Sequence, residues 1–183
     1  MRRKFQTVLL VILLVGALCP GAAVVGQESD GALVLVVRKE ARELRVLSGS
    51  EVIATYPIGL GFQPKGDKQR EGDGATPEGR YSVCIKNPQS RYYLSLGINY
   101  PSAKDAERAL AEGWFSREEA RAILEAERDG RCPPWDTPLG GEIYIHGRGS
   151  SADWTLGCIA LDDPDMKALY DRVKIGTEVR IEP

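Results

Sequence analysis

At 183 residues the chain has the length of about one domain, and its 24 basic and 26 acidic residues leave a formal net charge of -2. With no long block of like charge, that balance excludes a nucleic-acid surface as an expectation and names no partner by electrostatics alone. A chain of this length can bury a core without disulfide staples, so its cysteines need a reason other than stapling.

Arg2, Arg3 and Lys4 precede an apolar run over residues 8–18 and small residues over 21–26. That order reads as a secretory signal covering residues 1–26, with the mature chain starting near Gln27. Two other readings stand beside it. An uncleaved membrane anchor is disfavoured by the breaks at Gln6, Thr7 and Pro20, and a lipid-modified Cys19 by the bulky Leu18 before it. The expected location is the periplasm or cell envelope. After cleavage Cys84, Cys132 and Cys158 remain, and an odd count leaves at least one thiol free or paired between chains.

Residues 33–37 and 44–47 are aliphatic, β-branched runs that read as strands, followed by a Ser48-Gly49-Ser50 hairpin turn and a strand over 52–57. Residues 59–79 hold six glycines with Pro64 and Pro77, which forbids regular helix and predicts a shaped surface loop. Within it, Lys65, Lys68 and Arg70 among Asp67, Glu71 and Asp73 read first as a solvated charge cluster, with contact to an anionic substrate as the lesser reading. Strands are expected over 80–86 and 92–96. Ser116 and Glu119 form a capping box ahead of Ala120, Ile123 and Leu124, so residues 116–128 should be a helix ended near Gly130. Cys132-Pro133-Pro134 enforces an extended connection to a strand over 142–146. Asp163 before Pro164 suits the start of a helix running over 166–173, and 177–181 a closing strand. The sum is one mainly β domain over 32–183 with a helical insertion and one late helix.

His146, the sole histidine, ends a strand and precedes Gly147; Cys158 lies twelve positions on, between Gly157 and Ile159-Ala160-Leu161. A thiol with a free pKa of about 8.5 needs a base or a positive neighbour to act as a nucleophile near neutral pH. Gly157 permits a sharp turn whose N–H groups face a developing oxyanion. Taken alone, these residues read more often as a packed core thiol and a structural histidine, because spacing does not bring two side chains together. Asp162, Asp163 and Asp165 read as helix-cap and macrodipole residues rather than metal ligands. A zinc site from His146, Cys132 and Cys158 lacks any Cys-x-x-Cys pair, so no metal and no cofactor is expected. Whether Cys84 and Cys132 pair stays open, since pairing needs Cα atoms within roughly 7 Å.

Ile145-His146-Gly147 and Thr155-Leu156-Gly157-Cys158-Ile159-Ala160-Leu161, with Gly66-Asp67-Lys68, Gly72-Asp73-Gly74 and Thr76-Pro77-Glu78-Gly79 upstream, resemble the L,D-transpeptidase catalytic domain. The likeness runs over about 33–181, and Val173-Lys174-Ile175-Gly176-Thr177 resembles the family's ending. It implies a β-sandwich or barrel catalytic domain of the YkuD type. It also implies that Cys158 is the nucleophile, His146 the base, Gly147 the carbonyl that orients the imidazole, and Gly157 part of the oxyanion site. Thr155, Arg148 and Tyr144, which flank these motifs, are the expected substrate-binding residues. Two departures stand out: Thr155 replaces the usual serine, and Ala160 stands where many members carry arginine, which brings the chain closer to the YafK/ErfK-like branch. The implied activity is transfer of a peptidoglycan stem peptide from a cysteine thioester to an amine. A YafK-like murein peptidase, cutting a stem-peptide bond or a tether to a wall lipoprotein, is the alternative. A wall-binding module with a packed Cys158 is the alternative of another class. The helix over 116–128, as a long insertion, is expected to wall or cover the substrate cleft.

Overall fold

A computed structural model describes residues 31–183, and the leader read at 1–26 lies outside them. The elements are β1 (Leu33–Arg38), β2 (Glu43–Ser48), β3 (Glu51–Pro57), β4 (Gly79–Ser90), β5 (Tyr93–Ile98), α1 (Ala103–Ala111), α2 (Arg117–Arg128), β6 (Tyr144–His146), β7 (Ile159–Ala160), α3 (Asp163–Arg172) and β8 (Glu178–Glu182). The strands hydrogen-bond in the order β3-β2-β1-β8-β4-β5-β6-β7. Only β1 with β8 and β6 with β7 run parallel. The domain is mainly β, as the alternating runs predict.

Period-two alternation sets the core face. Leu35 sits opposite Val46 of β2 and Val179 of β8, and Val37 opposite Leu44 and Ile181. All six are buried in one cluster that also takes Met166 and Leu169 from α3. The twelve-residue β4 joins the two halves: its Gly79–Ser82 stretch pairs with β8, and the remainder pairs with β5 through two register shifts.

Residues 103–111 form a helix not expected from the sequence. Its start is a capping box in which the Asp105 carboxylate accepts from the Ser102 N–H at 2.9 Å and from its hydroxyl at 2.8 Å. Aspartate stands where glutamate or glutamine usually signals the box. The capping residue of α3 is Asp162, not Asp163, and neither carboxylate caps its own helix. Instead Asp163 accepts from the Arg148 N–H at 2.8 Å and Asp162 from the Ser150 N–H at 3.0 Å, tying the loop after His146 to α3. The strand expected over 142–146 begins at Tyr144, after a left-handed turn at Glu142, whose φ is 52°.

In the 59–79 loop Lys65, Arg70 and Glu71 are exposed, as a solvated cluster requires, but Lys68 is not. Lys68 is buried, paired with Asp73 at 2.7 Å and donating to the Arg70 carbonyl at 3.0 Å. Lys39, from the turn after β1, is also buried and reaches Glu78 at 2.8 Å and the Thr76 carbonyl at 2.9 Å. Gly59 and Gly61 bridge to Ala160 and Thr155, so this loop lies directly along the Cys158 segment. Cys84 and Cys132 form a disulfide with Cα atoms 5.1 Å apart, leaving Cys158 as the free thiol among the described cysteines.

Candidate active site

His146 is fixed by the sheet on one side and by aromatic rings on the others. In register it faces Ser95 of β5 and Ala160 of β7. Tyr92 stacks on the imidazole with ring centroids 4.6 Å apart, and Trp154 meets it edge-on at 5.6 Å. Its Nδ1 lies 2.7 Å from the Gly147 carbonyl oxygen. A carbonyl only accepts, so Nδ1 carries the proton and the neutral ring keeps its free lone pair on Nε2. Burial pulls the imidazole's pKa below its ordinary value, with the Gly147 bond opposing. Gly147 has no room for a side chain, since a Cβ there would come within 2.5 Å of an Asp163 carboxylate oxygen.

Cys158 ends a tight turn held by Thr155, whose hydroxyl donates to the Cys158 carbonyl at 2.7 Å and accepts the Gly157 N–H at 3.2 Å. Gly157 adopts φ of 130°, and a Cβ there would lie 2.7 Å from the Ala75 carbonyl oxygen. The sulfur sits between two backbone groups, accepting from the Tyr144 N–H at 3.4 Å and donating to the Glu142 carbonyl at 3.6 Å. The left-handed turn at Glu142 is therefore part of the thiol's setting. Burial raises the thiol pKa above its ordinary value, the Tyr144 N–H opposes it, and the nearby Glu142 charge adds to it. No hydrogen bond joins Cys158 to His146 among the described residues. The two face one cleft, where burial favours the neutral form of each.

That cleft has a volume of about 680 Å³ and is lined by Cys158, His146, Tyr144 and Thr155 together with Tyr92, Trp154, Lys68 and Arg91. Of the residues expected to contact substrate, Tyr144 and Thr155 line it, with the Thr155 hydroxyl committed to the turn. Arg148 is exposed and outside the lining, its N–H bound to Asp163. Gly147 and Gly157 lie behind the lining, and the Gly157 N–H is directed to Thr155. The helix expected to wall the cleft contributes no lining residue; α2 packs on α1. The wall comes from the segment after it, Gly140, Gly141, Glu142 and Ile143. Trp135 from the same segment packs edge-on against Tyr144 at 5.7 Å.

Such a site can take a thiol proton onto Nε2 while the sulfur attacks an electrophilic carbon, the arrangement of a cysteine acyltransferase. The family profile of the YkuD L,D-transpeptidase catalytic domain matches residues 32–181. The chain belongs to the YkuD family. Within it, 61 residues are 44% identical to YafK of Escherichia coli (strain K12), a stretch covering 32% of this chain and 23% of YafK. The helical cell shape determining protein Pgp2 of Campylobacter jejuni superposes with a TM-score of 0.55 at 26% identity, over 84% of this chain and 48% of Pgp2. Bd1075 of Bdellovibrio bacteriovorus shares the fold, with a TM-score of 0.53 at 24% identity over 85% of this chain and 49% of its own. The chain thus spans about a quarter of YafK and about half of Pgp2.

Tyr92, Trp154 and Arg91 were not expected at the site from the sequence, whereas Lys68 stands in the Gly66-Asp67-Lys68 motif and bears out the lesser reading of its loop, a cation at the cleft. Trp154, next to Thr155, was open to notice by adjacency. Tyr92 and Arg91 reach the site only because β5 pairs with β6, and pairing partners are not written in a strand's own pattern.

Proposed function

We propose that this is an exported L,D-transpeptidase that acts on peptidoglycan stem peptides in the periplasm or cell envelope. The observation that carries the reading is that one cleft holds a free thiol on a braced turn and an imidazole whose Nδ1–H is fixed by Gly147, leaving Nε2 basic. His146 Nε2 takes the Cys158 proton as sulfur attacks the scissile amide carbonyl. The tetrahedral oxyanion that forms is met by backbone N–H donors beside the sulfur, the Tyr144 N–H among them. The imidazolium then protonates the departing amine, and the C–N bond breaks to leave a thioester. An acceptor amine attacks the thioester, gives its proton to His146, and returns the free thiol. Gly147 orients the base and Thr155 braces the nucleophile's turn.

The match to YafK and the small, buried Ala160 beside the nucleophile keep a second reading in view, in which water resolves the thioester and the chain is a murein peptidase. A tether to a wall lipoprotein is a substrate of that reading. Both readings share the acyl-enzyme, so the deciding experiment begins there. Purified protein incubated with a stem tetrapeptide or a carbapenem should gain one adduct, located on Cys158 by peptide mass spectrometry, and Cys158→Ala should gain none. Adding an amine acceptor then separates transfer from hydrolysis by product. An adduct retained in Cys158→Ala would remove Cys158 as the nucleophile, and no adduct on a folded wild type that still binds wall would return the chain to a binding module.

A further inference from the structure

Two cations line the cleft, and they differ in what holds them. Lys68 is buried and paired with Asp73, its ammonium also bound by the Arg70 carbonyl. Arg91, in the turn between β4 and β5, is exposed and makes no ion pair among the described residues, although Glu71 and Glu142 line the same cleft. Its guanidinium lies over the Tyr92 ring, 4.9 Å from the centroid, and that ring also stacks on the imidazole of His146 and meets Trp154 at 5.9 Å. Arginine, phenol and imidazole form a stack that runs from the cleft rim to the base. A guanidinium held by a cation–π contact is pre-organised and keeps its N–H fork for a planar anion. It lies near enough to Cys158 for its charge to favour the thiolate, against the larger effect of burial.

We infer that Arg91 is a specificity residue that receives a free carboxylate of the donor peptide, held one ring away from the base by the Arg91–Tyr92–His146 stack. The inference rests on the acyl-transfer reading above. In a donor whose terminal residue is expelled, a carboxylate lies a few bonds beyond the scissile carbonyl. A side-chain carboxylate on the acyl-donating residue is the other source of the same chemistry.

The test separates recognition from reactivity. Iodoacetate and iodoacetamide both alkylate a thiolate, forming a C–S bond as iodide leaves, and differ in that only the first carries a carboxylate. The ratio of their second-order rates at Cys158 should fall several-fold in Arg91→Ala, fall further in Arg91→Glu, and recover in part in Arg91→Lys. The same ratio in all four proteins overturns the inference while leaving a reactive Cys158 intact. Failure of both reagents to modify wild-type Cys158 overturns the acyl-transfer reading and the inference with it. With peptide donors, Arg91→Ala should raise KM roughly tenfold, the effect of one hydrogen bond to a charged group, and change kcat much less. Donors amidated at the terminus or at the side chain identify the source: the amide that already raises KM in the wild type, and on which Arg91→Ala adds nothing, marks the carboxylate recognised. A KM increase equal for the free and both amidated donors, or none for any, rejects the assignment.

Discussion

His146 and Cys158 are each pushed by burial toward the neutral form, the imidazole down and the thiol up. Burial thus works against a preformed thiolate–imidazolium pair and favours proton transfer within the attack itself. The acylation rate should rise with pH along a limb below about 6.5, where the imidazole sheds its proton, and reach a plateau near neutrality. His146→Ala should lose that limb, react roughly 10²-fold or more slowly at neutral pH, and recover only as the thiol ionises unaided above about 8.5. Stopped-flow acylation from pH 5 to 10 reads both profiles; superimposable curves would remove His146 from the reaction. The two residue types and their glycine neighbours were legible in the sequence, because a thiol nucleophile needs a base and the motifs around each are local. Their setting was not. The Tyr92 stack, the buried Lys68 and the thiol's contact with the Glu142 carbonyl depend on strand pairing and on a left-handed residue far from Cys158 in sequence.

Among the elements, the least regular does most to shape the cleft. The connection from α2 to β6 carries Gly140 to Ile143 along the cleft, and its near end is tied to β4 by the Cys84–Cys132 disulfide. α2 itself was readable from its capping box and apolar spacing, whereas its packing on α1 instead of over the cleft was not, since an amphipathic face shows that a helix is covered but not by what. The disulfide spans 48 residues, and closing a loop of that length restricts the unfolded chain by about 4 kcal/mol on the entropic account. Replacing both cysteines by alanine should lower stability by about 2–4 kcal/mol, read as a shift in the denaturant midpoint. Because Cys158 is separate from the bridge, the double variant should still take its label on Cys158 under conditions where it remains folded. An unshifted midpoint would show that the tether does not support the fold.

Across the whole molecule, two loops without regular structure add to the cleft wall, Lys68 to Gly72 from one and Trp154 to Cys158 from the other, and charge pairs hold them. Lys39 joins the turn after β1 to Glu78, Lys68 closes the 59–79 loop on Asp73, and Arg42 grips Asp153 at 2.7 Å ahead of the Cys158 turn. Burial works against the Asp73 carboxylate, yet the Lys68 ammonium and three backbone N–H groups keep its pKa below the ordinary value. Asp73 therefore contributes stability above the unfolded carboxylate pKa of about 3.9, lost as pH falls through its lower folded value. His146 acts in a higher window. Its folded pKa lies below the unfolded value of about 6.5, so from there downward the unfolded chain binds the extra proton and stability falls with pH until the folded ring also protonates. The sequence holds a single histidine, so a fall in thermal midpoint between about pH 6.5 and the start of carboxylate titration near 4 has one imidazole to account for it. His146→Gln, which cannot titrate, should flatten that part of the profile while keeping the steeper loss at lower pH, and Asp73→Asn should reduce the latter alone. An equal slope above pH 4.5 in wild type and His146→Gln would mean that the buried imidazole protonates as easily folded as unfolded, and the neutral resting base assigned to the site would fall with it.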